Sequence, residues 1–230
     1  MITRCGFMKR KEGTTMEEFQ KYWLNVHGPI AAKMEGLQTY SQHLVVDNEH
    51  RHAIASGVMD IDGYSELSFD TYGDMVKGVE SLHGEGADDV LLFAEPYCPI
   101  LVFQKKVDLK IPSYVDEDKI VKRVSFLNRK KGVSSERFQE EWWYIHSMLV
   151  KTIPGYIGYS QNIVIDRILN GESVPYETLP VAGMVEFWFE NMDAFNEFYG
   201  STQFKRISPH AQEFSDAIDT YLTKTYKVVG

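Results

Sequence analysis

Residues 19–27 read FQKYWLNVH, and residues 138–146 read FQEEWWYIH. The likeness extends outward from this stretch, because residues 4–47 align without a gap to residues 123–166 and 16 of the 44 aligned positions are identical. By chance, roughly 1 position in 16 would match at average composition. A match of this density at one fixed offset indicates that the chain contains two copies of one structural unit.

The later part of the unit repeats more loosely. Residues 63–69, GYSELSF, resemble residues 183–189, GMVEFWF, and a polar stretch with helical character follows each. The segment between the copies carries Lys, Pro, Ser and acidic residues, which is typical of a linker. We therefore predict a first repeat over 1–107, a linker over 108–119 and a second repeat over 120–230.

Each copy predicts the element order βαββαβ. In the first copy, Thr14 or Thr15 is placed to cap a helix, with Glu17 and Glu18 close behind. The apolar residues of that helix recur at helical spacing, so one face is expected to be buried. That face consists of Phe19, Trp23, Val26 and Ile30, and of Phe138, Trp142, Ile145 and Leu149 in the second copy.

The predicted fold class is α+β. A four-stranded sheet with helices on one side leaves its other side uncovered. The predicted strands carry apolar residues at both odd and even positions, so both sides of the sheet are apolar. Two such units facing each other would cover both bare sides. We therefore predict two ferredoxin-like βαββαβ repeats whose antiparallel sheets form one pseudo-dimeric α/β barrel, with an interior that is packed or hollow.

The amino-acid composition argues against some classes of binding partner. The formal net charge of the 230-residue chain is −9, which disfavours binding to nucleic acid or to an anionic membrane surface. The sequence has no apolar run of membrane-spanning length, and residues 1–5 do not resemble the start of a signal peptide, so we expect neither a membrane span nor a leader. With two cysteines, Cys5 and Cys98, a reducing cytoplasm is the expected location and buried structural thiols the expected role.

Several motifs together resemble the EthD family. The segment from Glu17 to Trp23, followed by His27-Gly28-Pro29, Gly36-Leu37 and Tyr40, is similar to the family's F-x-x-Y/H-W-x-x-x-H-x-P helix, glycine and tyrosine-bearing strand. Asp62 to Phe69 resembles its D-G-x-x-E-L-W-F strand. The resemblance covers nearly all of repeat 1 and most of repeat 2. Repeat 2 departs from it at His146-Ser147-Met148 and in the loop between Asp166 and Gly183.

The resemblance implies the dimeric α/β barrel, a fold similar to that of muconolactone isomerases and several polyketide cyclases. Those proteins bind small, flat, oxygenated molecules in the barrel and work by proton transfer, generally without a metal or organic cofactor. Because one fold hosts many functions, it implies the fold more strongly than the reaction.

The leading catalytic candidates are a histidine and a tyrosine that recur thirteen residues apart, as His27 with Tyr40 and as His146 with Tyr159. An imidazole can take and return a proton near neutral pH, and a phenol can donate to a developing oxyanion. The Gly28-Pro29 step predicts a helix break that puts His27 at an element end. A half-buried histidine bonded to a carbonyl and a core tyrosine are the structural alternatives.

Four further residues are candidates for substrate binding: Trp23, Trp142, Gln42 and Gln161. The tryptophans also fit a purely structural role in the core, and the glutamines would line the barrel if strand alternation holds. The His50-Arg51-His52 run is predicted to be a solvated loop that can fold over the barrel mouth. No sequence feature establishes a metal site, and no phosphate loop or nucleophile elbow is present.

Two classes of function follow. The first is a cofactor-independent isomerase or lyase acting on a lactone, aromatic acid or polyketide-like compound. His27 would be the general acid and base and Tyr40 its partner, with His146 and Tyr159 in equivalent or vestigial roles. The second is a binding or accessory protein that holds the same ligand unchanged. A haem-binding or monooxygenase-type barrel is a weaker alternative, and a further homodimer of the whole chain stays open.

Overall fold

A computed structural model describes residues 1–53, 57–109, 112–113 and 115–230. The first repeat contains strand β1 (Ile2–Met8), helix α1 (Met16–Tyr22), a π-helical segment (Trp23–His27), helix α2 (Gly28–Ala31), strands β2 (Thr39–Asp47) and β3 (Gly63–Phe69), helices α3 (Tyr72–Ser81) and α4 (Glu85–Phe93), and strand β4 (Ile100–Leu109). After a 3-10 turn (Glu117–Lys119), the second repeat contains β5 (Val121–Arg129), α5 (Ser135–Gln139), a π-helical segment (Glu140–His146), α6 (Ser147–Val150), β6 (Gly158–Leu169), β7 (Glu172–Ser173), β8 (Gly183–Phe189), α7 (Met192–Gly200), α8 (Thr202–Phe214) and β9 (Ser215–Val229).

Eight antiparallel strands close into a barrel, which confirms the predicted fold. The strand order is β4-β1-β3-β2-β9-β5-β8-β6, and pairing of β4 with β6 closes the ring. The two joints between repeats are β2 with β9 and β4 with β6. The last long strand of each repeat therefore pairs with the second strand of the other repeat, as a two-fold symmetric dimer would pair.

The barrel interior is packed with aromatic and aliphatic side chains from both repeats. Phe7 of β1 meets Phe126 of β5 edge to face, with ring centres 5.1 Å apart, and it also contacts Tyr64 of β3. The same interior holds an ionic network of Glu66, Lys105, Lys122 and Glu186, in which Lys122 and Glu186 are buried and the other two are largely buried. The interior is therefore filled rather than hollow.

The predicted helix break at His27 is not present. Gly28 has helical dihedral angles (φ −54°, ψ −50°), and the helix runs on from the π-helical segment into α2. The N–H of Gly28 donates to the carbonyl of Trp23, five residues back, as a π-turn requires. Pro29 then occupies the first turn of α2, where a missing N–H and a fixed φ are tolerated.

The π-turn also changes which face of the helix is buried. Phe19 and Trp23 lie in the core as predicted, but the stripe continues through His27 and Ala31. Val26, predicted to be buried, is 41% exposed. A π-turn adds one residue to the turn, so every side chain after it is rotated relative to an α-helical pattern.

Strand β4 extends to Leu109, two residues into the predicted linker, because its backbone pairs with β6. Residues 54–56 of the polar loop in repeat 1, and residues 110, 111 and 114 of the linker, lie outside the described residues. In the part of the chain that is described, no helix is both long enough and apolar enough to cross a membrane.

Candidate functional site

A cavity of about 370 Å³ lies in repeat 2, on the helix-facing side of the sheet. This differs from the expectation of a ligand site inside the barrel. Inward-facing residues such as Phe126 pack the barrel, whereas their neighbours in β5, Arg123, Ser125 and Leu127, face the cavity. The rest of the wall is mainly aromatic and aliphatic and includes Trp142, His146, Tyr159, Phe187, Phe198, Tyr199, Phe204, Ile207 and Phe214.

His146 lies in this wall at the end of a hydrogen-bonded chain. Its Nδ1 is 3.1 Å from Nδ1 of His210 on α8, and the two rings stack with their planes 14° apart. Nε2 of His210 is in turn 3.0 Å from Oε2 of the buried Glu141. The chain therefore runs from the cavity wall to a carboxylate behind it.

The chain links the tautomers of the two histidines. The Glu141 carboxylate accepts, so Nε2 of His210 donates to it. In the tautomer in which Nδ1 of His210 accepts, Nδ1 of His146 donates and Nε2 of His146 keeps its lone pair. Burial, together with the neighbouring His210, lowers the pKa of His146 to about 4, so the imidazole is neutral at neutral pH.

Repeat 1 contributes to the mouth of this cavity. His52 and Ala53, in the loop after β2, lie in its wall. The His52 ring stacks on Tyr199, with ring centres 4.5 Å apart and planes 10° apart. His52 is exposed, as predicted for a solvated loop, but the loop adjoins the helix-side cavity of the other repeat rather than the barrel mouth.

In repeat 1, the equivalent histidine is paired directly with a carboxylate. Nδ1 of His27 is 2.8 Å from Oδ2 of Asp89 on α4, and the hydroxyl of Tyr22 donates to the same carboxylate. Phe93 packs against the imidazole, with ring centres 5.2 Å apart. Burial lowers the pKa of His27, although the adjacent Asp89 acts against this shift.

In repeat 2, the predicted histidine and tyrosine lie close to the same cavity. His146 and Tyr159 line the same cavity. In repeat 1, the Tyr40 hydroxyl accepts a hydrogen bond from Gln42 instead, and it is fully buried. Burial raises the pKa of Tyr40 to about 12.

The candidate glutamines hold the π-turns. Nε2 of Gln42 donates to the carbonyl of Trp23 at 3.0 Å, and Nε2 of Gln161 donates to the carbonyl of Trp142 at 2.8 Å. Both side chains are fully buried beneath the helix rather than in the cavity wall. Their position allows them to fix the helix segment that carries each histidine.

The candidate tryptophans are both buried, and Trp142 also forms part of the cavity wall. Each ring lies against a glycine at the start of the following strand. A Cβ on Gly63 would come within 2.6 Å of the Trp23 ring, and a Cβ on Gly183 within 2.3 Å of the Trp142 ring. These two glycines therefore make room for the indoles.

The cysteines and metal-binding residue types form no further site. Cys5 is buried in the barrel core, and the thiol of the half-buried Cys98 donates to a backbone carbonyl. Within the described residues, no group of three His, Cys, Asp or Glu side chains is arranged to hold a metal ion.

Sequence reasoning missed three residues of the cavity region: Arg123, Glu141 and His210. Arg123 could have been found from the sequence, because Arg4 matches it in the repeat. An arginine within an apolar strand is also unusual and often has a specific role. Glu141 aligns with Tyr22, and His210 lies beyond the gapless alignment. Nothing in the repeat pattern therefore singled out these last two residues.

Solved structures with the same overall fold include enzymes and enzyme-like proteins. An anthrone oxidase-like protein aligns with a TM-score of 0.62 and 8% identity, covering 99% of this chain and 93% of that one. A protein from Lactobacillus acidophilus NCFM, provisionally assigned as a monooxygenase, aligns with a TM-score of 0.57 and 14% identity, covering 99% and 94%. A dye-decolorizing peroxidase from Bacteroides thetaiotaomicron VPI-5482 aligns with a TM-score of 0.52 and 7% identity, covering 97% and 93%. At these identities the likeness concerns the fold alone.

No curated protein matches the sequence significantly. The EthD domain profile matches twice, over residues 11–96 and 130–218, once in each repeat. These two matches span most of the chain and agree with the duplicated barrel. The chain therefore belongs to the EthD family and carries two EthD domains in tandem.

Proposed function

We propose that the cavity of repeat 2 is the active site of a cofactor-independent isomerase or lyase that acts on a small, planar, oxygenated organic molecule. The observation that carries the proposal is the chain from His146 through His210 to Glu141, which ends on an aromatic cavity. A general base needs an unprotonated nitrogen beside the substrate, and we propose that Nε2 of His146 is that nitrogen.

In this proposal, Nε2 of His146 takes a proton from a carbon next to a carbonyl group. The positive charge on the imidazolium is stabilised through the Nδ1–H bond to His210 and the Glu141 carboxylate beyond it. Returning the proton to another atom of the same molecule completes an isomerisation. Loss of a leaving group from the carbanion completes an elimination.

Trp142 and Tyr159 serve as substrate-binding residues in this proposal, because flat aromatic walls favour a flat ligand. Gln161 is proposed as a positioning residue that holds the helix carrying His146. The matching set in repeat 1, consisting of His27, Tyr40, Trp23 and Gln42, is proposed to be vestigial and to retain a structural role.

Proton exchange tests the reaction without knowledge of the product. Small γ-lactones and aryl ketones would be incubated with the protein in D₂O, and deuterium at carbon would be followed by NMR. Wild type and His27→Ala are expected to catalyse exchange in at least one compound, whereas His146→Ala loses it. Exchange that survives in His146→Ala, with the fold intact by circular dichroism, would refute the assignment.

A binding protein without catalysis is the second candidate. The low pKa of His146 favours it, because a conjugate acid with a pKa of about 4 belongs to a weak base. This candidate predicts that a ligand binds in the cavity, gains no deuterium and is recovered unchanged.

A further inference from the structure

Arg123 is a buried cation that pairs with no acidic side chain of the described residues. Its side chain lies in the cavity wall, and the residue is 5% exposed. One guanidinium nitrogen, Nη2, donates to Oγ1 of Thr220 at 2.9 Å. No Asp or Glu of the described residues forms an ion pair with it, and Nε has no hydrogen-bond partner there.

A second donor in the same wall is also unsatisfied. The guanidinium of Arg123 lies over the ring of Tyr199, 4.8 Å from its centre, and acts on the buried Tyr199 hydroxyl, whose O–H has no acceptor among the described residues. Burial raises the pKa of Tyr199 to about 12, so the phenol keeps its proton and can donate. An arginine likewise remains protonated and offers donors only.

These buried donors destabilise the folded protein unless an acceptor binds to them. A buried polar group without a partner destabilises the folded protein, and a buried charge without a partner destabilises it more. Both unsatisfied groups are donors, so what would satisfy them is an acceptor that carries negative charge. A carboxylate has two acceptor oxygens in the plane that a guanidinium fork recognises.

We propose that Arg123 and Tyr199 form the anion-binding end of the cavity and that the ligand is a small planar carboxylic acid, bound as its carboxylate. The inference rests on the proposed function for this site and names its substrate class. The aromatic walls would take the apolar body of the ligand. A volume of about 370 Å³ lies at the small end of ligand pockets, which fits a single-ring acid.

Benzoate and benzamide provide a test, because they share a shape and differ in charge. Calorimetric titration of wild type is expected to show benzoate bound at least tenfold more tightly than benzamide. Arg123→Met should weaken benzoate binding at least tenfold and leave benzamide binding within twofold. Tyr199→Phe, which removes one oxygen atom, should weaken benzoate binding by a smaller factor.

Two controls separate this effect from a general loss of positive charge. Arg4→Met removes the matched arginine of repeat 1, and Arg206→Gln removes an exposed cation from α8. Neither change should alter benzoate affinity by more than twofold. Should Arg123→Met fail to fold, Tyr199→Phe and Arg123→Lys carry the test, since lysine keeps the charge and loses the fork.

Equal affinity for benzoate and benzamide, equal loss of both in Arg123→Met, or no binding of benzoate to folded wild type would overturn the inference. Its failure is distinguishable from that of the proposed function. Benzoate binding that requires Arg123, without proton exchange by His146 in any compound, would leave the anion site standing and remove the catalytic role. Proton exchange by His146 in neutral ketones, without benzoate binding, would keep the catalytic role and remove the anion site.

Discussion

Glu186→Gln should destabilise the protein more than any change at an exposed glutamate. Glu186 is fully buried in the barrel, with Lys122 Nζ at 2.7 Å and Lys105 Nζ at 3.2 Å from its carboxylate. Ser160 and Asn162 also donate to it. Burial alone would raise the pKa of this carboxyl, but the charges of Lys105 and Lys122 outweigh burial and hold it below its usual range.

The expected loss in free energy of unfolding follows from the number of charges in the network. Glu66 and Glu186 balance Lys105 and Lys122, so the amide leaves one lysine uncompensated in the core. Removing one partner of a buried ion pair costs about 3–5 kcal/mol. A domain of this size loses about 2–4 °C in melting temperature per kcal/mol, so a fall of about 6–20 °C is expected.

Chemical denaturation and thermal melting at pH 7 would measure the change. The exposed Glu172→Gln serves as the control and should stay within about 0.5 kcal/mol of wild type. Glu186→Gln combined with Lys122→Met restores neutrality and should recover part of the loss, because the two residues interact directly. A loss below about 1 kcal/mol in Glu186→Gln would refute the argument that a lysine left without its counter-charge in the barrel is strongly destabilising.

Two further changes test the packing and the buried histidines. Gly183→Ala places a methyl group against the Trp142 ring, so we expect a loss of about 1–3 kcal/mol by denaturation and altered tryptophan fluorescence; a wild-type melting temperature would contradict this. Burial, together with the charge of Lys122, lowers the pKa of His43 to about 4. A histidine that resists protonation when folded stabilises the protein fully above its unfolded pKa, so stability should fall as pH drops from about 6.5 to 4. His43→Asn, which copies Asn162 of repeat 2, should lose less stability over that range, and an unchanged pH profile would disprove the assignment.

The fold was predictable from sequence because the repeat and the helix cap are local signals. Thr15 caps α1 and forms a capping box with Glu18, and Trp23 and Trp142 each lie in the core of their own repeat. The repeat at a fixed spacing of 119 residues indicates two similar units. The uncovered face of each sheet can then be buried against the uncovered face of the other sheet.

The π-turns were not predictable, because apolar spacings of four, three and four also fit a regular α-helix. The widened turn depends on tertiary contact, in which Gln42 and Gln161 bind the carbonyls of Trp23 and Trp142. That contact decides that His27, rather than Val26, is buried.

The site was predictable only in part. His146, Trp142 and Tyr159 were found from the repeat and share one cavity, but the position of that cavity depends on how α7 and α8 lie over the sheet. His210 comes from a helix whose sequence has no close match in repeat 1. Its contact with His146 therefore follows from packing that sequence pattern does not encode.

Blocking the cavity tests most directly whether repeat 2 holds the ligand site. Ala211 lines the cavity from α8, so Ala211→Phe should fill it, whereas His27→Ala alters only repeat 1. A thermal-shift screen of lactones, benzoates and phenols would be run on wild type and both variants. A ligand at about 100 times its dissociation constant adds about 2.7 kcal/mol to stability. The account predicts that the ligand shift seen in wild type persists in His27→Ala and vanishes in Ala211→Phe. A shift that persists in folded Ala211→Phe, or that is lost in His27→Ala, would contradict it.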